Sequence, residues 1–397
     1  MKAVDATPLF QPLTIRGLEL PNRFVVPGMQ REMSRDGAPT AAMRDYLSER
    51  ARGGFGLIIS ESCAIDHPAA TDQPTAVRMA ADTVAAWQVV LDGVHEAGGR
   101  MFLQLWHEGA ARKSRGEPVD APDAPVSPSG LLRKGTPNGR AATLQDLEDL
   151  RDAYVRSATL AKELGFDGIE IHAAHGYLLD QFLWHETNQR SDQYGGPDLE
   201  ARLQFPVEVV EAVRQAVGND LILSLRFSQW KEVDFEACLL RSPQELDLLL
   251  RRFRSAGIDM FHVSTRRFYL PEWGPSDRTL AAWAKLLTDA PVITVGSVGL
   301  DTEFKDLVFG ASSKAVAEAS LKSLLERFEK HEFDLVAVGR GSIGDGQWVN
   351  KVRAKQWDNI RAFERTDLKF IDDWDPWVFD EGSNPDGTPK APSGSPV

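Results

Sequence analysis

Cysteine is scarce in this chain of 397 residues, with Cys63 and Cys238 the only two. They lie far apart, without a C-x-x-C pair or a Cys/His zinc spacing, which excludes a disulfide framework and a structural zinc site. Cys63 reads as a buried structural thiol, and Cys238 has no adjacent basic residue to activate it. Basic runs are missing as well, and with a net charge of -13 no nucleic-acid footprint is expected. No apolar run approaches membrane-spanning length, and Met1-Lys2-Ala3-Val4-Asp5 has no signal-peptide core. The expectation is a cytoplasmic protein that uses neither a membrane nor nucleic acid as partner; a homo-oligomer is compatible with it.

What is present is an alternation of strand and helix patterns from about residue 22 to 356, with no linker between halves and no internal repeat. The runs Asn22–Pro27, Leu57–Ser60, Arg100–Leu105, Phe166–Glu170, Leu221–Phe227, Met260–Ser264, Pro291–Val295 and Asp334–Val338 read as strands, most of them continuously apolar. Parallel strands buried on both faces look like this. Helical patterns over Thr40–Arg52, Val84–Glu96, Leu144–Leu164, Ala201–Val217, Ser242–Ala256, Thr279–Thr288 and Ser320–Lys330 separate them, with a last helix near Gln347. Thr40 and Ser242 are suited to N-caps, and Glu245 stands at the capping-box position after Ser242. Eight such units predict an α/β fold, a single (β/α)8 TIM barrel over residues 1–360 with loop insertions. The Pro- and Gly-rich stretch 113–142 is a long excursion of functional or mobile character, and residues 361–397 read as a C-terminal arm with a disordered end.

In such a barrel, reactive groups gather where the strands end. The fourth strand leads into His172-Ala-Ala-His175-Gly-Tyr177, two imidazoles that can hold a carbonyl oxygen and a phenol that can hand over a proton. Gln104, at the third strand end, offers an amide that reads a planar heterocycle, and Arg226 on the fifth is a permanent cation for one edge of it. Gly296 and Ser297 after the seventh strand, with Gly339 and Arg340 after the eighth, suit a phosphate through bare backbone N–H groups and a forked guanidinium. A phosphorylated planar heterocycle beneath a carbonyl clamp and a proton donor suits flavin mononucleotide (FMN).

Asn22-Arg23-Phe24 with Pro27-Gly28-Met29, Gln104-Leu105-Trp106, the His172–Leu178 block, Asn188-Gln-Arg190-Ser-Asp192-Gln-Tyr194-Gly195-Gly196 and Val338-Gly339-Arg340 together resemble the Old Yellow Enzyme family of FMN-dependent ene reductases. The likeness runs from about residue 8 to 356. It implies that Pro27, Gly28, Met29, Ser62, Gln104 and Arg226 hold the isoalloxazine, and that Gly296 or Ser297 with Gly339 and Arg340 hold the phosphate. It further implies that His172 and His175 bind the activating oxygen of an enone, maleimide or quinone, and that Tyr177 protonates the α-carbon. Hydride would come from NAD(P)H and pass through flavin N5 to the β-carbon. Two positions depart from the family pattern: Gln30 stands where a Thr or Cys that tunes the flavin is usual, and Pro27-Gly28 replaces the usual order of small residue and proline. Trp106 is bulky and, facing inward, narrows the pocket.

Other readings stay open on the residues alone. The histidine pair could bind a metal in a barrel hydrolase, although no matching acidic ligand pattern occurs elsewhere and the expectation is no metal. Tyr177 could be packing and Arg226 a strand-end ion pair. Tyr269 and Trp273 could line the substrate mouth or merely cap the barrel, whereas Trp106 and Gln30 are expected on the substrate side of the flavin. Within flavin chemistry, oxidative demethylation or dehydrogenation of a small amine is the alternative.

Overall fold

The computed structural model describes residues 4–302, 314, 316–364 and 366–367. Most of the expected C-terminal arm therefore lies outside the described residues. The predicted strands form β1 (Phe24–Val26), β2 (Leu57–Ala64), β3 (Met101–Trp106), β4 (Gly168–His175), β5 (Ile222–Lys231), β6 (Met260–Ser264), β7 (Val292–Val295) and β8 (Leu335–Ala337). Each pairs in parallel with its sequence neighbour, and β8 pairs with β1, closing an eight-stranded barrel. Their continuous apolar runs are explained by burial on both faces, between the barrel interior and the outer helices.

The outer ring includes α1 (Ala41–Arg52), α2 (Val84–Glu96), α3 (Leu144–Leu164), α4 (Leu178–Leu183), α5 (Leu199–Val217), α6 (Pro243–Ala256), α7 (Leu280–Leu287), α8 (Ala317–Glu329), α9 (Arg340–Gly344) and α10 (Trp348–Arg353). Helix α3 begins at a reciprocal capping box between Thr143 and Asp146 and stops at Gly165, whose φ of +89° suits a residue without Cβ. Ser242 caps α6 as expected, accepting from the Glu245 N–H. Thr40 does not cap α1. Its hydroxyl donates instead to the Met33 carbonyl at 2.9 Å, a tertiary bond that outcompetes the local one.

Two strands outrun their apolar patterns. β4 continues through both histidines to His175, and β5 continues from Phe227 to Lys231. The two stay paired as far as His175 and Lys231, across an irregularity after Ala173. The short helices α4 and α9, absent from the sequence expectation, directly follow β4 and β8.

Polarity divides the barrel interior along its axis. Val25, Leu57, Ile59, Phe102, Ile222, Met260, Ile293 and Leu335 form one apolar cluster, joined by Ile15 and Leu20 from an N-terminal hairpin. Farther along the same strands the buried side chains are Gln104, Glu170, His172, Ser224, Arg226 and His262. The 113–142 excursion is tied down by the second motif. Arg190 donates to the carbonyls of Pro128 and Ala142 and pairs with Asp192, so the Arg-Ser-Asp block is a strut here.

Candidate active site

Cross-strand register assembles the polar end of the barrel. Gln104 lies opposite Glu170, Glu170 opposite Ser224, His172 opposite Arg226 and Arg226 opposite His262. Glu170 is the hub: it accepts from the Gln104 amide at 2.7 Å and from Ser224 at 3.1 Å, and lies 2.8 Å from His262 Nδ1. Burial alone would raise its carboxyl, but His262, Arg226 and Gln104 outweigh burial and hold it down; we take Glu170 as the ionised partner. His262 is itself pushed down by burial and is neutral.

This hub orients the Gln104 amide. Its nitrogen is held by Glu170, and its oxygen accepts from Ser62 Oγ at 2.7 Å. One N–H and one lone pair remain for a ligand. A Cβ on residue 28 would come within 2.5 Å of Gln104, so only glycine lets the chain lie this close. The Gly28 carbonyl accepts from Arg226 Nη1 at 2.9 Å, while Arg226 Nε is buried without a hydrogen-bond partner among the described residues. Pro27 and Met29 border Gly339.

At the other edge, the predicted phosphate residues meet. Arg340 Nη2 donates to Ser297 Oγ at 3.0 Å and to the Thr302 carbonyl at 2.6 Å. Gly296 has a φ of +146°, and a Cβ there would strike Thr265. Gly339 has open space beside it, with Met29 Sδ the nearest atom a Cβ would meet, at 3.5 Å.

The histidine–tyrosine cluster packs as a unit. The rings of His172 and His175 are 5.1 Å apart, and those of His172 and Tyr177 5.4 Å. Trp106 stands edge-on to Tyr177 at 5.3 Å, and Trp230 lies 4.5 Å from His175. Burial, with the Arg226 charge beside it, pushes His172 down to about 3, and the same causes push His175 well below its usual value. Both imidazoles are therefore neutral at pH 7. His172 Nδ1 is buried and has no partner among the described residues. His175 Nε2 is 2.8 Å from Ser264 Oγ, which fixes the ring. Backbone strain accompanies this: His175 has a φ of +66°, held by Ser228 Oγ on its N–H and the Glu232 N–H on its carbonyl. The Tyr177 hydroxyl donates to Glu232 at 2.9 Å.

Other predicted residues stand apart from this cluster or without a role in it. The Tyr269 hydroxyl accepts from Arg267, its carbonyl from Arg327, and its ring packs on Phe268. Trp273 donates to the Leu240 carbonyl and packs against Trp283. Gln30 has both amide atoms buried and unpartnered among the described residues. Cys63 is buried, and burial pushes its thiol up. Sequence reasoning missed Glu170, His262, Ser264 and Glu232. The signal for the first two was in view: a charged or ionisable residue inside an apolar parallel strand.

The donors fit FMN: an oriented amide and a buried, half-used guanidinium suit the edge of a flat heterocycle, and an open glycine beside an Arg–Ser pair suits a phosphate. Among the described residues no group of three or more His, Cys, Asp or Glu side chains could hold a metal ion. No described helix is long and apolar enough to cross a membrane.

A closed parallel barrel with these groups at its strand ends has the architecture of the barrel flavin oxidoreductases. The sequence profile of the NADH:flavin oxidoreductase / NADH oxidase family matches residues 8–359, and the chain belongs to this family, that of Old Yellow Enzyme. Among curated relatives, NADH oxidase of Thermoanaerobacter brockii is 32% identical over 89% of this chain and 52% of its own length. The 12-oxophytodienoate reductase 1 of Oryza sativa is 35% identical over 62% of this chain and 64% of its length. The chain thus spans about half to two thirds of these two relatives. Morphinone reductase solved in complex with tetrahydroNAD is 26% identical, with a TM-score of 0.73 over 91% of this chain and 93% of its own. Old Yellow Enzyme from Pichia sp. AKU4542, 24% identical with a TM-score of 0.73 over 91% of this chain and 90% of its own, shares the fold.

Proposed function

We propose that this protein is an FMN-dependent NAD(P)H oxidoreductase that reduces an electron-poor C=C bond of an enone, maleimide or quinone. The observation that carries the reading is the packing of two imidazoles and a phenol into one cluster at the end of β4, with His172 opposite Arg226 in the barrel register. The chemistry that FMN supplies when bound is hydride exchange, accepted from NAD(P)H and delivered to the β-carbon of the alkene. Gln104, Ser62, Gly28 and Arg226 would hold the ring, with Pro27 and Met29 beside it, and Gly296, Ser297, Gly339 and Arg340 the phosphate.

The remaining work falls to the strand-four end. Neutral His172 and His175 present N–H donors to the carbonyl oxygen, whose negative charge grows as the β-carbon is reduced, so these bonds strengthen toward the transition state. Neutrality matters because an imidazolium could lose its proton to the oxygen, whereas a neutral imidazole holds the oxygen without transferring one. Tyr177, pushed well above its usual range by enclosure and by Glu232, remains protonated and can donate to the α-carbon. Trp106 packs against Tyr177 and Trp230 against His175, and these apolar neighbours would help keep water from the oxygen.

The test is anaerobic. The purified protein should be yellow, bleach with NADH or NADPH, and regain its colour with 2-cyclohexenone or N-ethylmaleimide. Colourless protein that binds no FMN, or a bleached form that no such acceptor reoxidises, refutes the reading.

A further inference from the structure

Tyr177 does not stand alone. Its hydroxyl donates to the Glu232 carboxyl at 2.9 Å, and Glu232, though crowded by protein around its carboxyl, keeps part of its surface open to solvent. The contact is built in. Glu232 follows directly on the end of β5, and its N–H bonds the His175 carbonyl at 3.0 Å, two residues before Tyr177. A fully buried ion pair locks the two segments together: Lys231 Nζ reaches Asp180 at 2.7 Å, and the other Asp180 oxygen accepts the Gly176 N–H at 2.6 Å. The end of β5, next to Glu232, is thereby tied to the chain on both sides of Tyr177.

We propose that Glu232 is a positioning residue that aims the Tyr177 proton and replenishes it from solvent; this rests on the reading of Tyr177 as proton donor. As a carboxylate, Glu232 accepts the phenolic hydrogen and turns it away from the α-carbon. As a carboxylic acid it donates to the phenol oxygen and leaves the Tyr177 O–H pointing at the substrate. In the transfer, the Tyr177 O–H bond breaks as the α-C–H bond forms. The Glu232 O–H bond then breaks as the phenol O–H bond is restored, and the carboxylate takes up one proton from water. No electrons move in these steps, and the hydride and this proton together saturate the C=C bond.

The surroundings move the Glu232 titration upward from the usual carboxylate range. The protein crowded around Glu232 raises its carboxyl, against the lowering influence of the Tyr177 hydrogen bond and Arg226. Facing the pair are Arg226 on β5 and Glu108 from the loop after β3, whose carboxyl is raised to about 7, mainly by burial. Lys231 is engaged by Asp180, and His172 and His175 are neutral.

The experiment is single-turnover reoxidation of the reduced holoenzyme by 2-cyclohexenone across pH, in the wild type and in Glu232→Gln, Glu232→Ala and Tyr177→Phe. The expected wild-type rate falls toward roughly tenfold per pH unit on the alkaline side of the Glu232 titration. Both Glu232 variants should lose this slope: Glu232→Gln, whose amide N–H can donate to the phenol oxygen in place of the acid, should stay near the low-pH rate, and Glu232→Ala, which leaves the phenol unaimed, should fall below it, with reduction by the nicotinamide little altered in either. A wild-type pH slope surviving in both overturns the proposal while leaving Tyr177 as donor, and points to Glu108 as the titrating group. Unchanged reoxidation in Tyr177→Phe overturns the donor reading and the proposal with it.

Discussion

Phe102 and Gln104, Ile222 and Ser224, and Met260 and His262 are pairs of neighbours on one face of the same strand, yet the two members of each pair obey different rules. The first of each joins the apolar cluster that fills the lower barrel. The second joins or adjoins the hydrogen-bonded network around Glu170. Apolar filling stabilises by leaving water, and its packing needs no partner of particular chemistry. Buried polar groups cost free energy unless each finds a partner, so a polar layer persists where it serves a purpose beyond stability. The lower barrel holds the fold together, and the upper barrel carries the polar groups on which the proposed ligand sites rest.

Breaking the upper layer at its hub should have the largest effect. We predict that Glu170→Leu, which strips the acceptor from Gln104, Ser224 and His262 and removes the carboxylate that most offsets the Arg226 charge, costs about 3–5 kcal/mol in urea unfolding. It should also weaken FMN binding, read as loss of yellow colour on gel filtration. Retained stability and colour would mean that the network is dispensable. Phe102→Ala breaks the lower layer. The ring is fully buried and fills the space over Gly168, where a Cβ would come within 2.6 Å of it. We predict a loss of about 3 kcal/mol or somewhat more from the cavity, with FMN affinity nearly intact. Similar damage to flavin binding in both variants would erase the distinction between the layers.

Smaller effects refine it. His172→Ala should weaken binding of a phenol or enone by about 1–3 kcal/mol, measured by titration of the flavin absorption band, without releasing FMN. Release of the flavin would make His172 a structural member of the cofactor layer. Two buried carboxylates then contrast in how well they are supplied with donors. Glu170 is well supplied and held low, so the stability it contributes is present above its unfolded pKa near 4.5 and declines as pH falls below that. Glu61, on β2, has Oε1 unpartnered among the described residues and is raised to about 8, mainly by burial. Its folded pKa lies above 4.5, so its contribution is complete below that pH and declines as pH rises through about 8. Urea midpoints should therefore drop between pH 6 and 9 in the wild type and drop less in Glu61→Gln; identical slopes would remove Glu61 from the account.

The barrel was legible in the sequence because its strands are apolar on both faces, a pattern that needs no knowledge of what packs against them. Strand ends were less so. β4 and β5 continue into polar residues, and their pairing up to His175 and Lys231 depends on contacts between segments some fifty residues apart. Within the site, His172, His175, Tyr177, Gln104 and Arg226 stood out through local motifs. Glu170 lies in a strand pattern that reveals no role for it, since its partners come from three other strands and meet only when the barrel closes. Glu232 lay in a stretch without a recognisable pattern, and only the extension of β5 brings it to Tyr177. Tyr269 shows the opposite case: an aromatic in a barrel loop whose hydroxyl is held by Arg267 and not by the cluster.

If Tyr177, just past the end of β4, protonates a substrate held above FMN, stopped-flow measurement of the two half-reactions in Tyr177→Phe shows it most directly. Reoxidation by 2-cyclohexenone should slow by roughly 10²–10⁴-fold while reduction by the nicotinamide stays within about twofold of wild type. Equal slowing of both halves, or no slowing of either, would contradict it.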